Sequence, residues 1–257
     1  GRFAGMMEMR NAVLASAEAL MDLPALRAEI AEGRAAGRLL GLGVAIAVEF
    51  TASGPANYGT AHVPVAATDT VVATLEPTGE ISAQSSITEI GQGVTQGLAQ
   101  ILADAVGVDA AAVRVDAGDT AAAPHGGGAW ASRGTAIGGE AAWGAGRALR
   151  AELLKAAGAL LQAAPATLDI RAGSVVDGEG AARMTLAELG TLMLFRGHEL
   201  PPGTQASLSA AFHYRREKDV SLTNNGVHVA LVEIDAGTGL VRVLRYGMAG
   251  DCGRDVN

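Results

Sequence analysis

GQGVTQGLAQILAD, residues 91–104, is the stretch on which the reading of this chain turns. Val94, Leu98, Ile101, Leu102 and Ala105 fall on one face at helical spacing, and Gly107 is a natural stop. Gly91, Gln92 and Gly93 stand directly before that helix. The first amides of a helix have no intrahelical acceptor, so a turn placed there can offer donors to an anionic group or an electron-rich oxygen. Glycine lets such a ligand come close to backbone, and the Gln92 side chain adds one donor and one acceptor group. The same three residues also suit a plain strand-to-helix turn whose glutamine satisfies the backbone.

A second glycine-rich stretch, AAPHGGGAWASRGT (122–135), again ends where a helix begins. Successive amides at Ala131, Ser132 and Arg133 can form an anion-binding nest, with Arg133 adding a fixed charge and Ser132 a hydroxyl. The competing reading is a surface loop closed by Thr135 as N-cap. His125 has no second histidine or carboxylate at a metal-ligand spacing and reads as a turn residue. Glu140 falls in the first turn of the following helix, where it complements the dipole. Cys252 reads as structural rather than nucleophilic.

Outward from these loops the chain mixes helix and strand. Residues 8–37 are helical in pattern, interrupted near DLP (22–24), where Asp22 can cap and Pro24 fits a first turn. Val44, Ile46, Val48 and Phe50 alternate with small residues at strand period. Residues 70–86 read as a hairpin turning at PTGE, and AAVRVDAGDT (111–120) as a strand leading into a loop. A long helix spans 136–161, then a hairpin around VVDGEG (175–180), a short helix LAELGTLMLF and a PPG turn at 201–203. VHVALVEID and LVRVLRYGM, joined by AGTG, form a closing hairpin. Without a regular strand–helix–strand alternation the class is α+β.

Composition narrows the function classes. Of 257 residues 49% are hydrophobic but only 4% aromatic, so the core is built of Ala, Val, Leu and Ile. A formal charge of −8 argues against a nucleic-acid-binding face. One cysteine excludes an internal disulfide framework and a cysteine metal site, and fits a reducing, cytoplasmic setting. No apolar run of about 18 residues suggests a membrane span. No G-x-S-x-G, phosphate-loop or dinucleotide fingerprint occurs. The chain begins at Gly1 and stops after DCGRDVN, so a piece of a larger polypeptide is expected.

Taken in order, EIGQG, AQILAD, VRVDAGDT, GGGAWASRGT and VEIDAGTGLVRVLRY followed by DCG resemble the molybdenum-hydroxylase family. This is the molybdopterin-binding large subunit of xanthine dehydrogenases, aldehyde oxidoreductases and aerobic carbon monoxide dehydrogenases. The resemblance runs from about Gly37 to Asn257. It implies that Gly91, Gln92 and Gly93 bind the molybdenum–molybdopterin cofactor, in some members its cytosine dinucleotide form, through amides and the Gln92 side chain. It likewise implies that Ala131, Ser132 and Arg133 hold the pterin and its pyrophosphate through backbone and the serine hydroxyl. The metal rides on the cofactor's own dithiolene, so no protein metal ligand is expected.

Two positions depart from the family pattern: Gln96 and Ala129 stand where a threonine is frequent. The family's catalytic glutamate lies in a Gly-x-Gly-Glu segment. None of Glu89, Glu140 and Glu233 has that context, so no catalytic residue is assigned. The resemblance further implies iron–sulfur and FAD subunits or domains as partners, the remaining parts of the large subunit, and a small-molecule substrate. The organisation expected along the chain is a helical lead-in (1–36), a central cofactor-binding part with both loops (37–200) and a closing hairpin segment (201–257). A cofactor-free structural or interaction fragment of the same fold is the alternative.

Overall fold

A computed structural model describes residues 2–52, 66, 68–123, 125–204, 206–216 and 222–253. The chain runs α1 (Arg2–Met21), α2 (Leu23–Ala35), β1 (Leu39–Thr51), β2 (Thr68–Leu75), β3 (Ile81–Ser85), α3 (Val94–Val106) and β4 (Val113–Ala117). A π turn (Gly134–Gly138) then opens α4 (Gly139–Leu161). After it come β5 (Asp169–Arg171), β6 (Ser174–Val176), β7 (Ala182–Thr185), α5 (Leu186–Phe195), β8 (Ser209–Arg215), β9 (Leu222–Ile234) and β10 (Val241–Asp251). The mixture of helices with separate sheets is α+β, as the sequence indicates. Two compact units form, one from Gly1–Thr51 with Ser221–Asn257 and one from Ala52–Val220. The segments 1–36, 37–200 and 201–257 run consecutively, whereas the first unit joins both ends of the chain.

In the first unit β9 lies between β1 and β10, antiparallel to both. Asp22 separates the two helices: its side chain accepts from Ala25 N at 3.2 Å, and Pro24 sits in the first turn, where a missing N–H costs nothing. Val13, Ala17, Leu26 and Ile30 from the helices meet Val227, Val229 and Leu231 of β9, all buried. The alternation Val44, Ile46, Val48, Phe50 does form a strand, but these side chains are half-exposed, while Val229, Val227 and Asn225, the β9 partners of the first three, are buried.

The second unit carries the main core and both glycine-rich loops. Its sheet has the order β4-β3-β2-β8, with β3 and β4 parallel and α3 as their crossover. Val71, Ala73, Leu75, Ile81 and Ala83 of the β2–β3 hairpin pack on Leu98 and Leu102 of α3 and on Ala141, Ala145, Leu149 and Leu153 of α4. β8 joins the edge of β2 and has no clear signature in the sequence; Thr70 Oγ1 meets His213 Nδ1 across that pair at 2.6 Å. The third sheet, β5-β6-β7, leads into α5 through a capping box between Thr185 and Glu188. Arg150 of α4 donates to Val106 O (2.6 Å) and Ile170 O (3.1 Å), tying the end of α3 to β5.

Candidate functional site

The end of β3 turns through Ser86–Gly93 into α3. Gly91 and Gly93 have φ of 98° and 75°, and an added Cβ on either meets nothing within 4 Å. Glycine is therefore required here by backbone conformation and not by crowding. The donors of this turn already have an acceptor. Glu89 Oε1 accepts from Gly91 N at 2.8 Å and Gly93 N at 3.1 Å. Glu89 Oε2 accepts from Thr95 N at 3.1 Å and Thr95 Oγ1 at 3.2 Å. The Thr95 amide, with the Gly91 and Gly93 amides, holds the Glu89 carboxyl at about 2. A carboxylate five residues ahead of the first helical residue, with amides clustered around it, is a self-supplied anion at the positive helix end.

Gln92 is likewise engaged within its loop. Its Oε1 accepts from Ile90 N at 2.7 Å and its Nε2 donates to Thr88 O at 2.9 Å. The glutamine that could face a ligand is thus also the clasp of its own turn. Its side chain remains exposed.

At the second loop Ala131 and Ser132 adopt successive positive φ values, 46° and 52°, in the left-handed region that side chains disfavour. The loop is held from below by charge. Arg133 Nη2 lies 2.5 Å from Asp69 Oδ2, with side-chain exposures of 3% and 0%. Arg133 Nη1 donates to Gly128 O at 3.0 Å. Asp69 Oδ1 accepts from Ser86 Oγ at 2.8 Å and Gly127 N at 3.1 Å. Burial pushes the Asp69 carboxyl up, against the opposing pull of Ser86, Arg133 and Gly127.

The guanidinium of Arg133 is therefore buried against Asp69 and the Gly128 carbonyl. A charge placed in this core needs its partner more than a ligand needs the charge. The glycines of GGG answer to the same network. A Cβ on Gly126 would collide with Ser86 Oγ and sit 2.5 Å from Asp69 Oδ1, and one on Gly127 would overlap Arg133 Nη1. Trp130 donates from Nε1 to Gly127 O at 2.7 Å and its ring lies 5.3 Å from the Arg133 guanidinium carbon.

Thr135 is not the N-cap that its sequence position suggests. The helix starts earlier, with Arg133 at the cap position and a π turn over Gly134–Gly138, and Gly139 N bonds both Gly134 O and Thr135 O. Such π turns widen a helix locally and recur at functional sites. The start of α4 meets the start of α3, since a Cβ on Gly134 would lie 3.0 Å from Val94 Cγ2.

The two loops consequently share a pocket of about 410 Å³ lined by Ile90, Gln92, Gly93, Val94 and residues 129–135. Five of the six residues singled out in the sequence line it: Gln92, Gly93, Ala131, Ser132 and Arg133; Gly91 is not among the lining residues. His125 and Glu140 are exposed and lie outside it, Glu140 in the first turn of α4. Among the described residues no group of three or more His, Cys, Asp or Glu is arranged to hold a metal ion. Nor, among them, is any helix long and apolar enough to cross a membrane. What sequence reasoning missed is the pair of carboxylates, Glu89 and Asp69, that hold the two loops in shape. The spacing of Glu89 to Gly91, Gly93 and Thr95 was a legible signal; nothing local marked Asp69.

Comparison with known proteins gives one family. A family model for a molybdopterin cofactor-binding domain matches residues 16–257. The chain is 28% identical over 248 residues to the nicotine 6-hydroxylase large subunit of Paenarthrobacter nicotinovorans, covering 95% of this chain and 30% of that one. It is 30% identical over 241 residues to the carbon monoxide dehydrogenase large chain of Hydrogenophaga pseudoflava, covering 92% and 29%. The crystal structure of quinoline 2-oxidoreductase from Pseudomonas putida 86 superposes with a TM-score of 0.74 at 34% identity, covering 95% of this chain and 31% of that chain. The chain thus spans under a third of the length of these relatives. With the match running through nearly all of its length and through both loops, the chain belongs to the molybdopterin cofactor-binding domain family of molybdenum hydroxylase and carbon monoxide dehydrogenase large subunits.

Proposed function

We propose that this chain supplies two cofactor-holding loops to a molybdenum-dependent oxidoreductase large subunit, with Gly91, Gln92, Gly93, Ala131, Ser132 and Arg133 as the residues that shape or contact the ligand. The observation that carries the reading is the pocket in which the Gly-Gln-Gly turn meets the Ala131–Ser132–Arg133 turn. Its lining fits a pterin: the Gln92 amide and the Ser132 and Thr135 hydroxyls supply polar groups beside the Trp130 ring and the apolar Ile90 and Val94 side chains. The group brings its own metal and supplies two-electron oxidation chemistry when bound.

The chain's own residues bind and orient. Gln92 presents an amide that can exchange its loop bonds for bonds to a heterocycle. Ser132 presents a hydroxyl from a backbone already bent into the left-handed region. Arg133 acts from beneath, through its ion pair with Asp69. Gly91 and Gly93 serve by conformation, their amides being bound to Glu89.

In the complete enzyme the reaction is hydroxylation or oxidation of an aldehyde, a purine, an N-heterocycle or carbon monoxide. Electrons leave through iron–sulfur and FAD subunits or domains. Support comes from the relatives, which are named as a large subunit and a large chain and of whose length the match covers 30% and 29%. The cytosine dinucleotide form of the cofactor and a cytoplasmic setting belong to the same proposal. A second reading, a cofactor-free fragment of this fold, draws on one observation: the Gly91 and Gly93 amides and the Gln92 side chain all have partners inside the protein.

Molybdenum and pterin content of the native protein, purified with whatever binds it, separates the two. Close to one equivalent of each supports the cofactor role. A folded protein carrying neither overturns it in favour of the second reading.

A further inference from the structure

We infer that Glu89 is a positioning residue for the Gly91–Gln92–Gly93 turn, a carboxylate supplied by the chain itself that fixes the backbone from which Gln92 reaches the pocket. Its two oxygens take four donors, from Gly91 N and Gly93 N on one side and from Thr95 N and Oγ1 on the other. The residue between the two glycines is Gln92, so one carboxylate grips the backbone immediately before and after it. Both glycines are in the left-handed region, where the chain has little intrinsic reason to stay in one conformation. Charge-assisted bonds to three amides offset that freedom.

Glu89 also fills the positive end of α3, so an external anion at this point would have to displace it. The turn is thereby ordered before any ligand arrives, and the entropy of ordering it is not drawn from binding. Gln92 then needs only to exchange its bonds to Ile90 N and Thr88 O for bonds to a ligand. The final step, from an ordered turn to a bound ligand, rests on the proposed cofactor role; the ordering of the turn does not.

The test compares the full-length native protein with its Glu89→Gln, Glu89→Asp and Thr95→Val variants by hydrogen–deuterium exchange and pterin content. Glutamine keeps the size but replaces one acceptor oxygen with a donor facing other donors. Glu89→Gln is expected to speed exchange about tenfold in the peptide spanning 90–96, and to leave exchange elsewhere unchanged. Pterin content should fall with it, and Glu89→Asp, which keeps charge but shortens reach, should be intermediate in both. Thr95→Val removes only the hydroxyl donor and should alter both least; it carries the test if Glu89→Gln fails to fold. Wild-type exchange in that peptide for Glu89→Gln, or for Glu89→Asp and Thr95→Val alike, overturns the inference. So does fast exchange with full pterin content. A wild-type protein without pterin would sink the cofactor reading, while the exchange comparison would still decide whether Glu89 holds the turn.

Discussion

The carboxylate of Asp69 lies 2.5 Å from the guanidinium of Arg133, and both side chains are sealed from water. Asp69 opens β2 and Arg133 closes the glycine-rich loop, so this pair joins the sheet to the start of α4. It converts a cation that the sequence offers to a ligand into a strut beneath the strained Ala131–Ser132 turn.

Removing one partner should expose the cost of that arrangement. Asp69→Ala leaves a buried guanidinium uncompensated and strips Ser86 Oγ and Gly127 N of their acceptor, for a loss of about 3–5 kcal/mol. Urea denaturation measures it. A loss below about 1 kcal/mol would mean that water reaches Arg133 and that the pair is not a strut.

Gln92→Ala should act on ligand retention far more than on stability. The two bonds it removes are at an exposed turn, where each is worth about 0.5–1 kcal/mol. The expected result in the complete enzyme is reduced molybdenum and pterin content with a near-normal melting temperature. Full cofactor content and turnover would remove Gln92 from the site.

Gly93 tests backbone against space. At φ 75° with nothing within 4 Å of an added Cβ, Gly93→Val is disfavoured by conformation alone, by about 1–2 kcal/mol or more for a β-branched residue. Gly93→Asn, which tolerates the left-handed region, should cost clearly less in thermal unfolding. Equal costs would mean that crowding, not φ, demands glycine here.

Acid should release Glu89. Its folded value of about 2 lies below the ordinary 4.5, so the stabilisation it brings is complete above about pH 4.5 and is lost as pH falls from there toward 2. Glu233, hydrogen-bonded to Arg38 and Arg242, is also held at about 2 and contributes in the same window. The decisive measurement is therefore the difference in stability between wild type and Glu89→Gln across pH 2–6. That difference should shrink toward acid; a constant difference would mean that Glu89 is not held as an anion.

The periodic parts of the fold were open to reading in one dimension. The amphipathic face from Val94 to Ala105 and the apolar series of the long helix follow from the 3.6-residue repeat, and the closing hairpin from alternation around a glycine turn. Glycine marked both loops because departures from ordinary backbone geometry leave a residue-type signature. β8 was not legible, since Ser209–Arg215 alternates weakly and becomes a strand by pairing with β2. The half-exposed β1 series shows the same limit: period reveals a strand, while coverage depends on what lies over it.

By itself the sequence determined the family, the α+β class and the position of two glycine-rich loops, because these rest on local pattern and on motif order. Only the tertiary structure decided which polar groups of those loops are already spent. Whether an amide or a guanidinium faces a pocket depends on acceptors brought from elsewhere, Glu89 across a turn and Asp69 from another strand. Satisfaction of a buried donor is a property of three-dimensional proximity and desolvation, and no residue carries it alone.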